Sequence, residues 1–202
     1  MKSDPFVLCL TNTVAANFTA NVLLAIGAKP AMIEEPSEAA ELAAVADAVL
    51  VNVGTLTPTQ AEVMRAAVAV LAGPVPTNAG SVPMPSGSVP TGLAGSVPNL
   101  KGSVPILSTG EVDRIWGGDP QPIKITGGAA MLQQVTATGC AQGSVCAALL
   151  GRGLSPVDAA IQASKLMKRA GERAFAKAQT PGSFQMALID ALSELAPSLP
   201  LA

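Results

Sequence analysis

The stretch Gln134–Gly153, Q-V-T-A-T-G-C-A-Q-G-S-V-C-A-A-L-L-G-R-G, decides how the rest of the chain is read. It opens polar and loop-like at Thr136, Ala137 and Thr138 and passes through Gly139. It then becomes a run of small apolar residues from Cys140 to Leu150, ended by Gly151 and Gly153. A tight turn opening such a helix leaves its first backbone N–H groups without intrahelical partners, and with the helix dipole these form an anion site. Gly139 lets the backbone approach a ligand where a side chain would obstruct. Cys140 falls at or near the first helical position, where the dipole favours a thiolate. Ala141, Gly143, Ser144, Ala147 and Ala148 carry little bulk, so the helix can lie buried against a sheet. The same pattern also fits a close-packed core helix whose cysteine is only a small hydrophobe.

Upstream of this stretch the chain alternates strand and helix signals. Phe6–Leu10 is a continuous apolar run of strand length, the mark of a strand buried on both faces. Thr11-Asn12-Thr13 is a polar turn, and Val14, Phe18, Val22 and Ile26 repeat at helical spacing up to a stop at Gly27. Ala31–Ile33 is a short strand, Ser37 a cap for a helix to about Ala46, and Ala48–Val53 a further strand. Thr57-Pro58-Thr59-Gln60 is a capping box opening a helix to Leu71. This alternation implies βαβ units and a parallel sheet, with ligands bound at the carboxyl ends of the strands. The polar junctions Thr11-Asn12, Asn52–Thr55, Thr109–Asp113 and Thr136–Cys140 are the candidates for that edge.

The middle of the chain differs. Gly73–Pro105 contains G-P-V-P once and G-S-V-P four times, with almost no charge. Proline removes ladder donors and is excluded from helix interiors, so this low-complexity segment reads as an extended excursion within a single domain spanning 1–202. Beyond it, Ile106–Thr109 reads as a strand. Arg114–Trp116 and Pro122–Ile125 flank a hairpin turn at Gly117-Gly118-Asp119-Pro120. Thr126–Gln134 reads as a loop, Ser155–Asp158 as a capping box for a helix to about Ala178, and Phe184–Leu195 as a last helix with Phe184, Leu188, Leu192 and Leu195 on one face.

Composition narrows the function. The 202 residues are 49% hydrophobic and 13% charged, with net charge −2 and 2% aromatics. No basic block or stacking platform supports nucleic-acid binding, and no apolar run reaches membrane-spanning length. Cys9, Cys140 and Cys146 form no C-x-x-C pair, so neither a disulfide framework nor a zinc knuckle is indicated, and a reducing cytoplasm is expected. Histidine is absent. That excludes Ser-His-Asp and Cys-His mechanisms within the chain and every histidine-based metal site. No Walker-type loop occurs, and no G-x-G-x-x-G follows a strand.

The run V-L-C-L-T-N-T-V-A-A-N-F-T-A-N-V-L-L-A-I-G-A-K-P-A-M (7–32) resembles the amino-terminal signature of the hydroxyethylthiazole kinases. A-D-A-V-L-V-N-V-G-T-L, T-G-E-V-D, V-T-A-T-G-C and P-G-S-F-Q-M-A-L-I-D-A-L follow in that family's order. The resemblance covers roughly Pro5–Leu71 and Leu107–Leu195. It implies a ribokinase-like, three-layer αβα fold around a mostly parallel sheet. It also implies magnesium- and ATP-dependent phosphorylation of the thiazole alcohol 4-methyl-5-(2-hydroxyethyl)thiazole, and a homotrimer with sites between subunits. Carried over by motif, Met32, Ala137 and Asn12 belong to the substrate side, Thr109 and Gly139 to the ATP side, and Cys140 takes the place of the catalytic base. No residue is assigned to the metal. The chain departs from the family where the G-S-V-P repeats stand. The family's aspartate-proline-valine-glycine and arginine-glycine-asparagine-alanine-x-glutamate motifs have no counterpart there. Glu111, Asp113 and Lys124 are the local candidates to supply charge instead. The alternative function is a non-catalytic remnant that keeps the fold and binds the thiazole or its own copies.

Overall fold

The computed structural model describes residues 4–71, 105–117 and 119–199. Its first half is a parallel sheet in the order β2-β1-β3, formed by β1 (Phe6–Leu10), β2 (Lys29–Met32) and β3 (Ala48–Val51). The central strand β1 is buried on both faces. Val7 and Cys9 enter one apolar cluster, which also takes residues from α1 (Thr13–Ala25), α4 (Thr138–Gly151), α5 (Pro156–Lys177) and α6 (Pro181–Leu195). Leu8 and Leu10 point the other way, to Ala39 and Ala43 of α2 (Pro36–Val45) and Val63, Met64 and Ala67 of α3 (Pro58–Leu71). The alternation of side chains along a strand produces this division.

Several boundaries differ from the sequence reading. Helix α1 starts at Thr13, because Asn12 caps it by accepting the Ala15 N–H at 3.0 Å. Val14 is 65% exposed, so the buried face is Ala15, Phe18, Val22 and Leu23 rather than a stripe beginning at Val14. At its other end, the Gly27 N–H bonds Leu24 O and the Ala28 N–H bonds Leu23 O, with Gly27 at φ 79°, a left-handed geometry that glycine adopts without strain. Strand β2 starts at Lys29 and includes Pro30, which a sheet edge tolerates. Ser37 does not cap α2. Pro36 occupies the first turn and Glu35 precedes it without a side-chain cap, since the fixed φ of proline already suits that position. The capping box of α3 is present, with Gln60 N to Thr57 Oγ1 at 3.2 Å and Thr57 N to Gln60 Oε1 at 2.9 Å.

The second half adds antiparallel pairing to the parallel sheet and helices of the first. Among the described residues, strands β4 (Ile106–Ser108), β5 (Asp113–Trp116) and β6 (Ile123–Ile125) form a second, antiparallel sheet. The connections at 109–112 and 117–122 are too short for a parallel crossover, so each strand must reverse. The hairpin about 117–120 therefore stands, but Thr109–Asp113 joins strand to strand rather than strand to helix. The expected loop at 126–134 contains a 3₁₀ turn over Ala130–Gln134. Thr180-Pro181 both ends the previous segment and starts α6, with Pro181 in its first turn. Of the repeat segment Gly73–Pro105, all but Pro105 lies outside the described residues.

Phe184 and Met186 give a direct test of this core. Phe184 is fully buried and Met186, two positions on, is 71% exposed. Phe184→Ala should cost about 3–5 kcal/mol in denaturant unfolding, the range for truncating a buried aromatic. Met186→Ala should stay within about 0.5 kcal/mol of the parent, as surface substitutions do.

Candidate functional site

The carboxyl ends of β1 and β3 meet the amino end of α4. β1 runs directly into Thr11 and Asn12, both buried. The Asn12 carbonyl side-chain oxygen is used in the α1 cap, and its Nδ2 donates to Gly54 O at 2.9 Å. Asn52, just past β3, is the hub. Its Oδ1 accepts the Gly54 N–H at 3.1 Å, which fixes the orientation of the amide. Its Nδ2 then donates to Thr11 Oγ1 at 2.9 Å and to Cys140 Sγ at 3.1 Å. Cys140 is therefore tethered to the sheet by a residue 88 positions earlier.

Cys140 is the third residue of α4, in its first turn, because the helix begins at Thr138. Ala137 precedes it in the left-handed region at φ 68°, a conformation that costs a residue with a Cβ on the order of 1 kcal/mol. The Thr138 hydroxyl donates to Leu132 O at 2.8 Å, tying the turn to the 3₁₀ segment. Ala137 supplies no side-chain cap, and the first helical bond runs from Ala141 N to Ala137 O. The N–H groups of Thr138, Gly139 and Cys140 therefore remain the unpaired donors of the helix start. A Cβ built on Gly139 would meet no atom within 4 Å, so the space above it is open.

That open space is a cleft of about 350 Å³ lined by Thr109, Gly139, Thr138, Gln142, Asp113 and Lys168 among others. Thr109 and Gly139, separated by the whole α4 approach in sequence, thus face one volume. A second cleft of about 570 Å³ adjoins it and shares Gly110, Leu132, Gln133 and Lys168. Met32 closes the amino-terminal half. It pairs with Cys9 in the β1–β2 register and packs, with Ala137, against the same apolar cluster. The arrangement sets a hydrogen-bonded thiol and amide pair, Cys140 and Asn52, on one side of the first turn of α4, and a cleft with free N–H donors on the other.

The three candidate charge suppliers divide. Glu111 is exposed and lines the adjoining cleft. Lys124 lies on β6 opposite Arg114 and lines neither of these two clefts. Asp113 is buried and committed: Oδ1 accepts the Gly110 N–H at 2.9 Å and pairs with Lys168 Nζ at 3.5 Å, while Oδ2 accepts from Gln142 at 2.8 Å. Gln142 donates further to Ser164 Oγ at 3.0 Å. A buried polar network thus lies beneath the cleft. The available signals in sequence were a lone glutamine inside the apolar run 140–150 and a lysine at the spacing of the buried face of α5.

These commitments bear on magnesium. A protein-held magnesium needs carboxylate oxygens free to coordinate. Among the described residues no group of three or more His, Cys, Asp and Glu stands together, and Asp113 is already bonded to Gly110, Lys168 and Gln142. Glu111, exposed at the adjoining cleft, is the carboxylate these clefts offer to a magnesium that a nucleotide would bring.

The chain matches the family model described as "Hydroxyethylthiazole kinase family" over residues 1–75 and 98–198. It is 37% identical to a hydroxyethylthiazole kinase of Cronobacter sakazakii, with 95% of this chain and 88% of the relative covered. It is 36% identical to one of Citrobacter koseri, with 95% and 90% covered. The first alignment runs over 238 positions, more than the 202 residues of this chain, so the relative has positions without a counterpart here. A solved structure of a hydroxyethylthiazole kinase protein from Pyrococcus horikoshii superimposes with TM-score 0.70 at 22% identity, covering 94% of this chain and 88% of that one, which shows a shared fold.

The three thiols should differ sharply in reactivity. Burial pushes the Cys9 thiol up to about 12. Burial, reinforced by the nearby Asp113 charge, does the same to Cys146. At pH 8 each would be thiolate in only about one molecule in 10⁴. Iodoacetamide on the folded protein at pH 8 should therefore label Cys140 alone, as read by peptide mass spectrometry. Comparable labelling of Cys146 would contradict the packing described here.

Proposed function

The chain belongs to the hydroxyethylthiazole kinase family, and from that premise we propose that it transfers the γ-phosphoryl of ATP to the hydroxyl of 4-methyl-5-(2-hydroxyethyl)thiazole. The observation that carries the reading is the position of Cys140, bonded to Asn52 on one side and one residue from the Thr109–Gly139 cleft on the other. The thiazole alcohol lies on the Met32, Asn12 and Ala137 side, with its hydroxyl at Cys140 Sγ. ATP occupies the cleft, with its γ-phosphoryl oxygens on the N–H groups of Thr138 to Cys140. The hydroxyl oxygen forms the new bond to the γ-phosphorus as the bond to the β,γ-bridging oxygen breaks, and ADP leaves. Cys140, in the place of the base, receives the hydroxyl proton. Such a reaction needs positioning and charge stabilisation more than covalent help from the protein. Magnesium is expected to accompany the nucleotide, and no step is assigned to it.

The fold is then a ribokinase-like three-layer αβα arrangement, supported by helices packed on both faces of β1. The G-S-V-P repeats replace the segment that carries the family's arginine motif, a reading supported by the gap in the family match at 76–97. The expected location is the cytoplasm.

Purified protein should phosphorylate the thiazole alcohol in an ATP-dependent assay, and Cys140→Ala should lower kcat by roughly 10²–10⁴, the contribution of a positioned acid or base. Cys146→Ala should be close to the parent, since its sulfur faces Ala159 O on α5 rather than the cleft. Equal losses in both variants would assign Cys140 to packing.

The protein is further proposed to be a homotrimer. Val14, Leu24 and Val45 are 65%, 59% and 64% exposed, apolar surface that a closed ring could bury. Light scattering behind size exclusion at micromolar concentration should give three times the chain mass. A monomer that binds the thiazole alcohol would refute a site shared between subunits.

A further inference from the structure

We infer that Lys168 is a tethered cation that joins the 109–113 loop, which lines the Thr109–Gly139 cleft, to the 126–130 turn of the adjoining cleft, and so positions the nucleotide side of the site. Lys168 stands on α5, and its side chain is 7% exposed. Its Nζ has oxygen partners in three directions: Gly110 O at 3.1 Å, Glu111 O at 3.0 Å and Gly127 O at 3.2 Å. Asp113 Oδ1 completes the shell at 3.5 Å. An ammonium has three N–H donors, so three carbonyls exhaust it. Lys168 therefore has no hydrogen left for a phosphate, although it lines the cleft. Its role must be exerted through the loops it binds, which makes it a positioning residue rather than a catalytic one.

Those loops are the walls. Gly110 and Glu111 follow Thr109 directly, and Gly127 belongs to the turn 126–130 that lines the adjoining cleft. Each wall has a second, carboxylate anchor. The Gly110 N–H bonds Asp113, and the Gly128 N–H bonds Glu172 Oε1 at 2.7 Å. Asp113 in turn holds Gln142, two residues past Cys140. One buried positive charge thus couples β5, the 126–130 turn and α4 through oxygens that would otherwise be buried around an empty centre. Removing one member of such a buried pair leaves the rest uncompensated.

The connection to ATP rests on the kinase reading of the cleft, whereas the clamp itself does not. Lys168→Ala leaves room lined by three carbonyls and a carboxylate, a set that small cations can fill. Amide hydrogen exchange should show 109–113 and 126–130 loosening together in this variant, reported most directly by the Gly110 and Gly128 N–H groups. Added ammonium chloride should restore protection, and tetramethylammonium chloride at the same ionic strength should not. By calorimetry, ATP affinity should fall roughly tenfold to a hundredfold, as misplaced positioning groups do, while affinity for the thiazole alcohol stays within about twofold. Leu188→Ala, a core change in α6, should lower the melting temperature without altering the ratio of the two affinities. If Lys168→Ala does not fold, Lys168→Gln, which keeps donors without charge, is read by the same exchange and affinity measurements. Unchanged exchange in the two loops, equal restoration by tetramethylammonium, or equal weakening of both ligands would overturn the inference. Absence of ATP binding in the parent would overturn the nucleotide reading of the cleft, and the exchange data would still decide the clamp.

Discussion

Burial of β1 on both faces is the constraint on which the other elements depend. Val7, Leu8 and Cys9 have no exposed surface and Leu10 has 1%. Fully burying each valine or leucine side chain is worth about 1.5–3 kcal/mol, so displacing this strand would expose both apolar clusters at once. Its register with β2 and β3 fixes where those strands end. Because all three run in the same direction, Met32, Thr11-Asn12 and Asn52 emerge at one edge. The site begins as a consequence of strand direction, before any polar contact is made.

Two polar hubs then join that edge to the second half of the chain. Asn52 reaches Cys140 from β3, and Lys168 reaches Gly110 and Gly127 from α5. Both hubs use the same device: a side chain on or beside a regular element satisfies groups from irregular loops. Buried polar groups left without partners cost more than the same bonds contribute when formed, so each hub favours one loop arrangement over its alternatives. The hubs differ in freedom. Asn52 is half-buried and leaves the sulfur partly accessible, whereas Lys168 is enclosed and saturated.

Legibility in the sequence followed the range of the interaction. Strand β1, the Gly27 stop, the capping box at Thr57 and the Ser155 cap depend on residues within a few positions and stand in the structure, although Asp158 accepts the Ser155 hydroxyl rather than its N–H. The start of α2 did not follow its apparent serine cap, because the preceding proline had already fixed the backbone. The antiparallel sheet was half legible. The turn at 117–120 announced one reversal, but the reversal at 109–112 looked like a strand-to-helix junction, since its polar residues suit either. Of the candidate residues, Cys140, Thr109 and Gly139 meet around the first turn of α4, while Asp113 proved to be spent within the protein. The Lys168 network was hidden, because its partners are backbone carbonyls more than 40 positions away. Carbonyls carry no signature in a sequence.

The first turn of α4 is where these lines converge, and helix geometry gives it two distinct faces. Successive residues of a helix point about 100° apart, so Gly139 and Cys140 necessarily face different directions. Gly139 opens on the Thr109 cleft, and Cys140 turns to Asn52. Between them lie N–H donors that no side chain caps, at the positive end of the helix dipole. On the kinase reading, a phosphoryl donor approaches from the first direction and a hydroxyl from the second, and the group in transit crosses the donors that neutralise it. The strained left-handed Ala137 sets this geometry by turning the chain sharply before the helix starts. Ala137 has no polar atom beyond Cβ, so its side chain leaves these donors uncapped.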